Sequence, residues 1–420
     1  MLNRFVLLLI SLLVVGLRVR CQEATSGVSL PITVSGNTRA TWTAPAENNE
    51  GSATTAGFRA ILTPTLKLGP HWFAYSALDV HSPKYLSYET GSEENRLVEF
   101  ELMQAFVGYS ASFSKATVLI KAGQLSSAFG LFPVEYDDSK MPLIDAPMLY
   151  TGYLPIRPDQ LPCGVKDVLG QTYGSEVDYH CGGSDDERYG VGPATLYGLP
   201  AVEAEISISR LDARLQLTNS LPANPHGLTD GGQAAQWTAG TGYTLPGGLH
   251  LGVSGFRGPY LDKILIPLLP AGKTLRDFPA WGAGADAEWS RGRWSVQGEW
   301  QHFHFELPGF SHSPSENGAY GQAKCILSPR LFLAMRATAQ HFGRIQDSSG
   351  SSADQFAGPQ QVYDFSVGYR FNRQQLLKVG SSWMNGNSWS VDSWVWPQSN
   401  RYMLQAQLVT SVTAVAKAFR

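Results

Sequence analysis

The chain has 420 residues, with 43 glycines, 25 prolines, 11% aromatic and 16% charged residues, and a formal net charge of −3. A mean hydropathy of −0.13 argues against a bundle of membrane helices, and a hydrophobic content of 43% argues against a disordered chain. No excess of lysine and arginine supplies a basic field for nucleic acid.

The first predicted element is a targeting segment. Residues 1–21 carry Arg4, an apolar run from Phe5 to Gly16, and Arg18 and Arg20 before Cys21, the pattern of a secretory signal peptide. Val19 and Cys21 are larger than the residues preferred before a cut at Gln22. Acylation of Cys21 would make a lipoprotein, but Arg20 stands where that signal needs a small residue. The apolar run is too short to favour a signal anchor. Removing Arg4, Arg18 and Arg20 takes the formal charge from −3 to −6. Beyond the signal no stretch approaches the roughly twenty apolar residues of a spanning helix. The nearest, Ile264 to Pro270, contains two prolines. Membrane residence would therefore require strands closed into a barrel, which alone among sheets leaves no backbone group unpaired in lipid.

Period-two alternation, the signature of a strand with two environments, recurs along the whole mature chain. It predicts about sixteen strands, near residues 30–42, 57–67, 71–81, 97–109, 113–123, 200–208, 210–219, 234–244, 249–257, 280–289, 293–305, 317–326, 329–341, 361–371, 374–384 and 401–411. Trp281, Ala283, Ala285, Ala287 and Trp289 fall on one face, and Gly282, Gly284, Asp286 and Glu288 on the other. After the turn Ser290 to Arg293, Trp294, Val296, Gly298 and Trp300 oppose Ser295, Gln297, Glu299 and Gln301, and the two runs read as a hairpin. The segments 97–109 and 317–326 alternate less cleanly.

Short turns such as Gly69-Pro70, Leu245 to Gly248, Ser290 to Arg293, Leu327 to Arg330 and Phe371 to Gln375 tend to alternate with longer connections. A membrane barrel has this form, tight turns on one side and longer loops on the other. Trp289, Trp294, Tyr243, Tyr369 and Phe371 sit beside the turns, as an interfacial aromatic girdle requires. A soluble sandwich would need neither so many strands nor this asymmetry. The fold class is all-β, an antiparallel transmembrane β-barrel of about 16 strands, following a signal at 1–21 and occupying 22–420.

Two stretches, Glu101-Leu102-Met103-Gln104-Ala105-Phe106-Val107-Gly108-Tyr109 and Lys121-Ala122-Gly123-Gln124 leading into Phe129-Gly130, precede the longest connection, residues 124–200. They resemble the strand pair before the third, inward-folded loop of sixteen-stranded Gram-negative porins, and more loosely that of the phosphate-selective and related substrate porins. The resemblance implies a channel in the outer membrane for passive diffusion of small polar solutes or ions, surrounded by lipid and assembled as a homotrimer, with no cofactor. Two departures are visible. Such porins end on an aromatic residue of the last strand, whereas here Phe419 is penultimate, and there is no ladder of arginine and lysine that would carry phosphate selectivity.

The 124–200 segment holds eleven carboxylates, among them Glu135, Asp137 and Asp138, against four cations. Folded into the lumen it would constrict the pore and bias its field toward cations; lying over the mouth it would be a solvated acidic cap. Cys163 and Cys181 lie within it, and an oxidising export route allows them to bridge; Cys325 has no evident partner. The pore-lining candidates on inward strand positions are Lys121, Arg214, Arg336, Arg370, Asp286, Glu288 and Glu299. Paired charges hydrated inside a barrel are the plainer account of each, with Lys121, just before the long segment, the strongest exception. His302 and His304 share a strand face but lack a third metal ligand. Neither a G-x-S-x-G elbow nor an H-E-x-x-H segment occurs. The alternatives to a channel are a non-conducting structural or adhesion barrel and an outer-membrane hydrolase barrel.

Overall fold

The computed structural model describes residues 29–44, 53–82, 98–132, 138–151, 154, 156–173, 179–184, 191, 198–219, 221, 224, 236–350, 353–386 and 401–417. The expected signal at 1–21 lies outside them.

Sixteen strands close into one antiparallel barrel. In chain order they are β1 (Ser29–Thr43), β2 (Ala53–Leu68), β3 (Trp72–His81), β4 (Glu99–Ser112), β5 (Ala116–Leu125), β6 (Leu199–Ile208), β7 (Leu211–Thr218), β8 (Gln236–Thr244), β9 (Leu249–Pro259), β10 (Pro279–Arg291), β11 (Trp294–Phe305), β13 (Ser315–Ser328), β14 (Leu331–Phe342), β17 (Gln360–Arg370), β18 (Gln375–Asn385) and β19 (Arg401–Lys417). Three short strands, β12 (Phe310–His312), β15 (Arg344–Asp347) and β16 (Asp354–Gln355), form a separate small sheet. The third long connection contains the helices α1 (Met148–Thr151) and α2 (Val165–Tyr173). No described helix is long and apolar enough to cross a membrane.

Each barrel strand pairs with its neighbours in sequence, and the seam is β1 against β19, in register from Ser29 with Lys417 to Thr43 with Met403. The connections alternate strictly, not merely by tendency. Turns at 69–71, 113–115, 209–210, 245–248, 292–293, 329–330 and 371–374 share one end with the start of β1 and the end of β19, and every longer connection joins strands at the other. Sixteen antiparallel strands impose this, because each crossing reverses direction and an even number returns the chain to its starting side.

The two strands with imperfect alternation each take part in a register shift. Met103 is an extra residue of β4 between the pairs Leu78–Leu102 and Ala77–Gln104. Leu327 plays the same part in β13, between Ile326–Phe332 and Ser328–Leu331. An extra residue moves its successors along the strand to the other side of the pleat, so in β4 the sequence period breaks where the ladder does, whereas in β13 the ladder is regular through Ile326 and the shift comes only at the strand's end.

The barrel is apolar on its outside. Leu215, Leu217, Leu251, Val253, Met335, Phe365, Val379 and Leu404 are exposed large hydrophobic residues, as a lipid-facing surface requires. The inward phase of the same strands carries Glu203, Gln216, Thr238, Glu299, Arg336, Ser366, Lys378 and Gln407, all buried. Burial in this molecule is thus largely polar on the wall, and it needs something inside the barrel to cover it.

Candidate functional site

The connection between β5 and β6 covers it. Leaving β5, the chain follows the inner wall toward β11. Arg214 Nε on β7 donates to the Ala128 carbonyl at 2.8 Å, Ser254 Oγ on β9 accepts from the Gly130 amide at 3.0 Å, and Glu299 on β11 accepts from the Leu131 amide. Phe129 packs between Phe256 and Phe303, with ring centroids at 5.2 and 5.4 Å.

The chain reappears at Asp138 on the far wall. There Asn37 Nδ2 on β1 donates to Asp138 Oδ2 at 3.0 Å, and Arg59 of β2 lies 3.4 Å from it. From Asp138 it returns along β18, β17, β19 and β14 to β11. Such a strand-free segment has carbonyl groups without ladder partners, and a buried carbonyl must find a donor. The wall cations supply them. Lys378 Nζ donates to the carbonyls of Asp138, Met141 and Leu143 at 3.0–3.2 Å, using all three ammonium donors. Arg336 Nη2 donates to the carbonyls of Asp145 and Ala146 and also to Asp364 Oδ2 at 2.8 Å. Asp145 is held by Arg39 at 2.6 Å and Gln405 at 2.8 Å. The return closes at Tyr150, whose hydroxyl donates to Glu299. Burial is the largest influence on the Tyr150 hydroxyl, and with the neighbouring carboxylate it holds the group protonated, well above the ordinary tyrosine value.

These contacts correct the expectation for several candidates. Arg336 and Glu299 point inward but are only 3% and 4% exposed, covered by the loop at Leu131, Asp145, Ala146 and Tyr150, so neither presents its charge to an open lumen. Arg214 is engaged with loop carbonyls. Asp138 is 4% exposed, and its carboxylate meets Asn37 and Arg59, whose guanidinium it shares with Asp79, so it is turned into the wall and away from the lumen. Glu135 and Asp137 lie outside the described residues.

Other inward charges keep contact with water. Lys121 on β5 bridges Glu203 at 2.7 Å and also pairs with Glu205, with side-chain exposures of 19% for Lys121 and 34% for Glu205. On β7 and β10, Asp212 is 43% exposed by side chain, and Asp286 and Glu288 are half-buried. His250 of β9 stands among them, 3.9 Å from Asp212. Cross-strand register explains the grouping: Asp212, Gly242, Gly252, Asp286 and Glu299 follow one another across β7 to β11. A Cβ on Gly252 would stand 2.5 Å from the Asp286 carboxylate, so glycine there leaves room for the charge. Further round the same wall, past β11, half-buried Lys324 of β13 lies over the Phe332 ring at 4.7 Å, and half-buried Arg370 ends β17 near the same rim.

The outer mouth is built differently. Residues of the same connection, among them Leu154, Ile156, Leu161 and Val168, join Tyr260, Leu265, Phe305 and Phe356 from other long loops in one buried apolar cluster. Cys163 and Cys181 are disulfide-bonded beside it. Asp167 of α2 binds both ends of that bridge, accepting from the amides of Cys163 at 2.8 Å and His180 at 3.0 Å. His302 and His304 face outward from β11, against Trp281 at 4.9 and 5.8 Å between rings. Among the described residues, no three or more His, Cys, Asp or Glu side chains are grouped to hold a metal ion.

Sequence reasoning missed Arg39, Asp145, Gln216 and Gln405. Each lies on an inward position or in the acidic segment, but its partner is far away in sequence.

No family description matches the chain, and no curated protein sequence does. Solved structures do. The chain is similar to the anion-selective porin from Comamonas acidovorans, with 11% identity and a TM-score of 0.54 over 92% of this chain and 100% of that one. OmpF of Salmonella typhi, solved with daunomycin, is 10% identical with a TM-score of 0.53 over 93% and 100%. OmpT, an outer membrane protein of Vibrio cholerae, is 8% identical with a TM-score of 0.51 over 93% and 100%. At such identities the likeness concerns the fold: a sixteen-stranded barrel of the outer-membrane porin type.

Proposed function

We propose that this barrel is an outer-membrane channel through which small polar solutes or ions diffuse down their gradients, narrowed by the connection between β5 and β6. One observation carries the reading: part of the inner wall keeps charged side chains in contact with water beside the buried loop. Glu205, Asp212, Asp286 and Glu288 stand on β6 to β10, with Lys324 and Arg370 on β13 and β17. Charged, hydrated groups lining a passage through a low-dielectric wall favour polar solutes and ions over apolar ones. A sealed structural barrel gains nothing from keeping carboxylates in contact with water.

At these positions four carboxylates stand against the three cations Lys121, Lys324 and Arg370, a small excess that supports a weak preference for cations. The wall is the source of that preference, since Asp138 of the loop is buried against Asn37 and Arg59. Lys121, Arg370, Asp286 and Glu288 are the pore-lining residues of this proposal; Arg214, Arg336 and Glu299 position the loop.

The test is single-channel conductance of the refolded mature chain in a planar bilayer under a salt gradient. Stable steps with a cation-selective reversal potential are expected. Insertion without steps would overturn the proposal in favour of a non-conducting barrel, the reading that the apolar cluster at the mouth favours. The proposal includes assembly as a homotrimer, which the mass of the detergent-solubilised particle tests.

A further inference from the structure

A lipid-facing surface should be free of charge in its apolar band and aromatic at its edges. Among the described side chains, Arg257 of β9 is the one lysine or arginine that projects outward from the body of a barrel strand; Arg291 does so only beside a tight turn. Arg257 is exposed, with the inward residues Phe256 and Gly258 buried on either side of it. Its cross-strand partners are Trp237 on one side and Trp281 on the other, and Trp281 is in turn opposite His304. Directly opposed residues share a face, so Trp237, Arg257, Trp281 and His304 form one row across four strands.

The height of this row is set by the strand. Trp289 marks the tight-turn edge of β10, and Trp281 is eight residues further along it. At roughly 3.3 Å per residue and a tilt of about 40°, the two lie roughly 20 Å apart along the membrane normal, close to the height of the apolar band. The row is therefore at the opposite interface, on the side of the long loops, where lipid headgroups begin. A second row just below it contains His302 and His341, both facing outward, with Asn317 between them in register. Asn317 Oδ1 is 2.9 Å from His302 Nδ1, and Glu306 holds His304 at 2.9 Å. That leaves the Arg257 guanidinium as the cation of the surface, framed by two indoles.

We infer that Trp237, Arg257 and Trp281 form a docking site for the phosphate of a lipid headgroup in the leaflet on the long-loop side. The guanidinium presents a planar fork of donors that matches phosphate oxygens, and charge-assisted bonds of this kind are strong at a dry interface. The indoles flank it and settle at the headgroup level. The inference rests on the outer-membrane reading, which supplies the lipid.

The experiment is native mass spectrometry of the refolded full barrel, released from micelles doped with dioleoyl phosphatidic acid or with a neutral glycolipid of the same chains. The intact barrel is expected to retain phosphatidic acid in preference to the glycolipid. Arg257→Gln should retain about tenfold less, Arg257→Lys an intermediate amount, and Arg291→Gln as much as the parent. Equal retention by the parent and Arg257→Gln, or equal retention of the two lipids by the parent, would overturn the site. Insertion into vesicles is measured on the same preparations. Normal insertion with equal retention sinks the site alone, whereas failure to insert sinks the site and the outer-membrane reading together.

Discussion

Arg39, on the first strand, and Asp145, on the loop after the fifth, meet at 2.6 Å with only 2% and 5% of their side chains exposed. The pair ties the returning part of the inner loop to the seam of the barrel, and Gln405 of the last strand joins it from the other side of that seam.

Removing one member of a buried ion pair leaves the other charge uncompensated, at a cost of about 3–5 kcal/mol. Asp145→Ala is expected to free residues 138–150 from the wall, giving larger and noisier conductance steps, while Asp145→Asn, which can still accept a hydrogen bond, does less. Conductance unchanged in Asp145→Ala would show that this segment does not limit the pore.

The charged arc makes a separate prediction. Combining Glu205→Gln, Asp286→Asn and Glu288→Gln should move the reversal potential under a salt gradient toward zero. Lys324→Gln with Arg370→Gln should move it the other way, toward stronger cation preference. A reversal potential indifferent to both sets would separate selectivity from the inner wall.

The disulfide closes a segment with a sequence separation of 18 residues. For a loop of that size the chain-entropy argument gives about 3 kcal/mol of local stabilisation. Replacing Cys163 and Cys181 together by serine should speed proteolytic cleavage within residues 154–191 and leave the barrel strands protected. Equal cleavage rates would mean that the apolar cluster holds the mouth unaided.

Asp167 makes the same region sensitive to acid. Burial pushes its carboxyl up, but the amides of His180 and Cys163 and the His180 ring outweigh it and hold the group below the ordinary 3.8. A carboxyl that is a stronger acid when folded contributes stability that is complete above its unfolded value. That contribution is lost as pH falls through the lower, folded value. The amide resonances of Cys163 and His180 should therefore titrate together below pH 3.8, and Asp167→Asn should abolish the transition.

The strands were legible because each has one face in lipid and one in the lumen, and period-two alternation records that directly. One failure was informative, since the irregular stretch 97–109 holds Met103, the extra residue of a bulge. The loop's path was not legible. Asp138 with Arg59 and Asp145 with Arg39 are pairings across the barrel interior, and a carboxylate near a distant arginine leaves no mark on its neighbours in the chain. Nor does sequence distinguish a lysine that faces water from one such as Lys378, whose ammonium is enclosed by three carbonyls, because both occupy the inward phase of a strand.

The seam between β1 and β19 joins the first described strand to the last. Until residues 401–417 are in place, a growing barrel carries two free edges, each with a row of unmatched amides and carbonyls that lipid cannot accommodate. Pairing of β1 with β19 removes both edges at once. A version shortened by its final strand is a candidate for edge-to-edge aggregation, not a smaller pore.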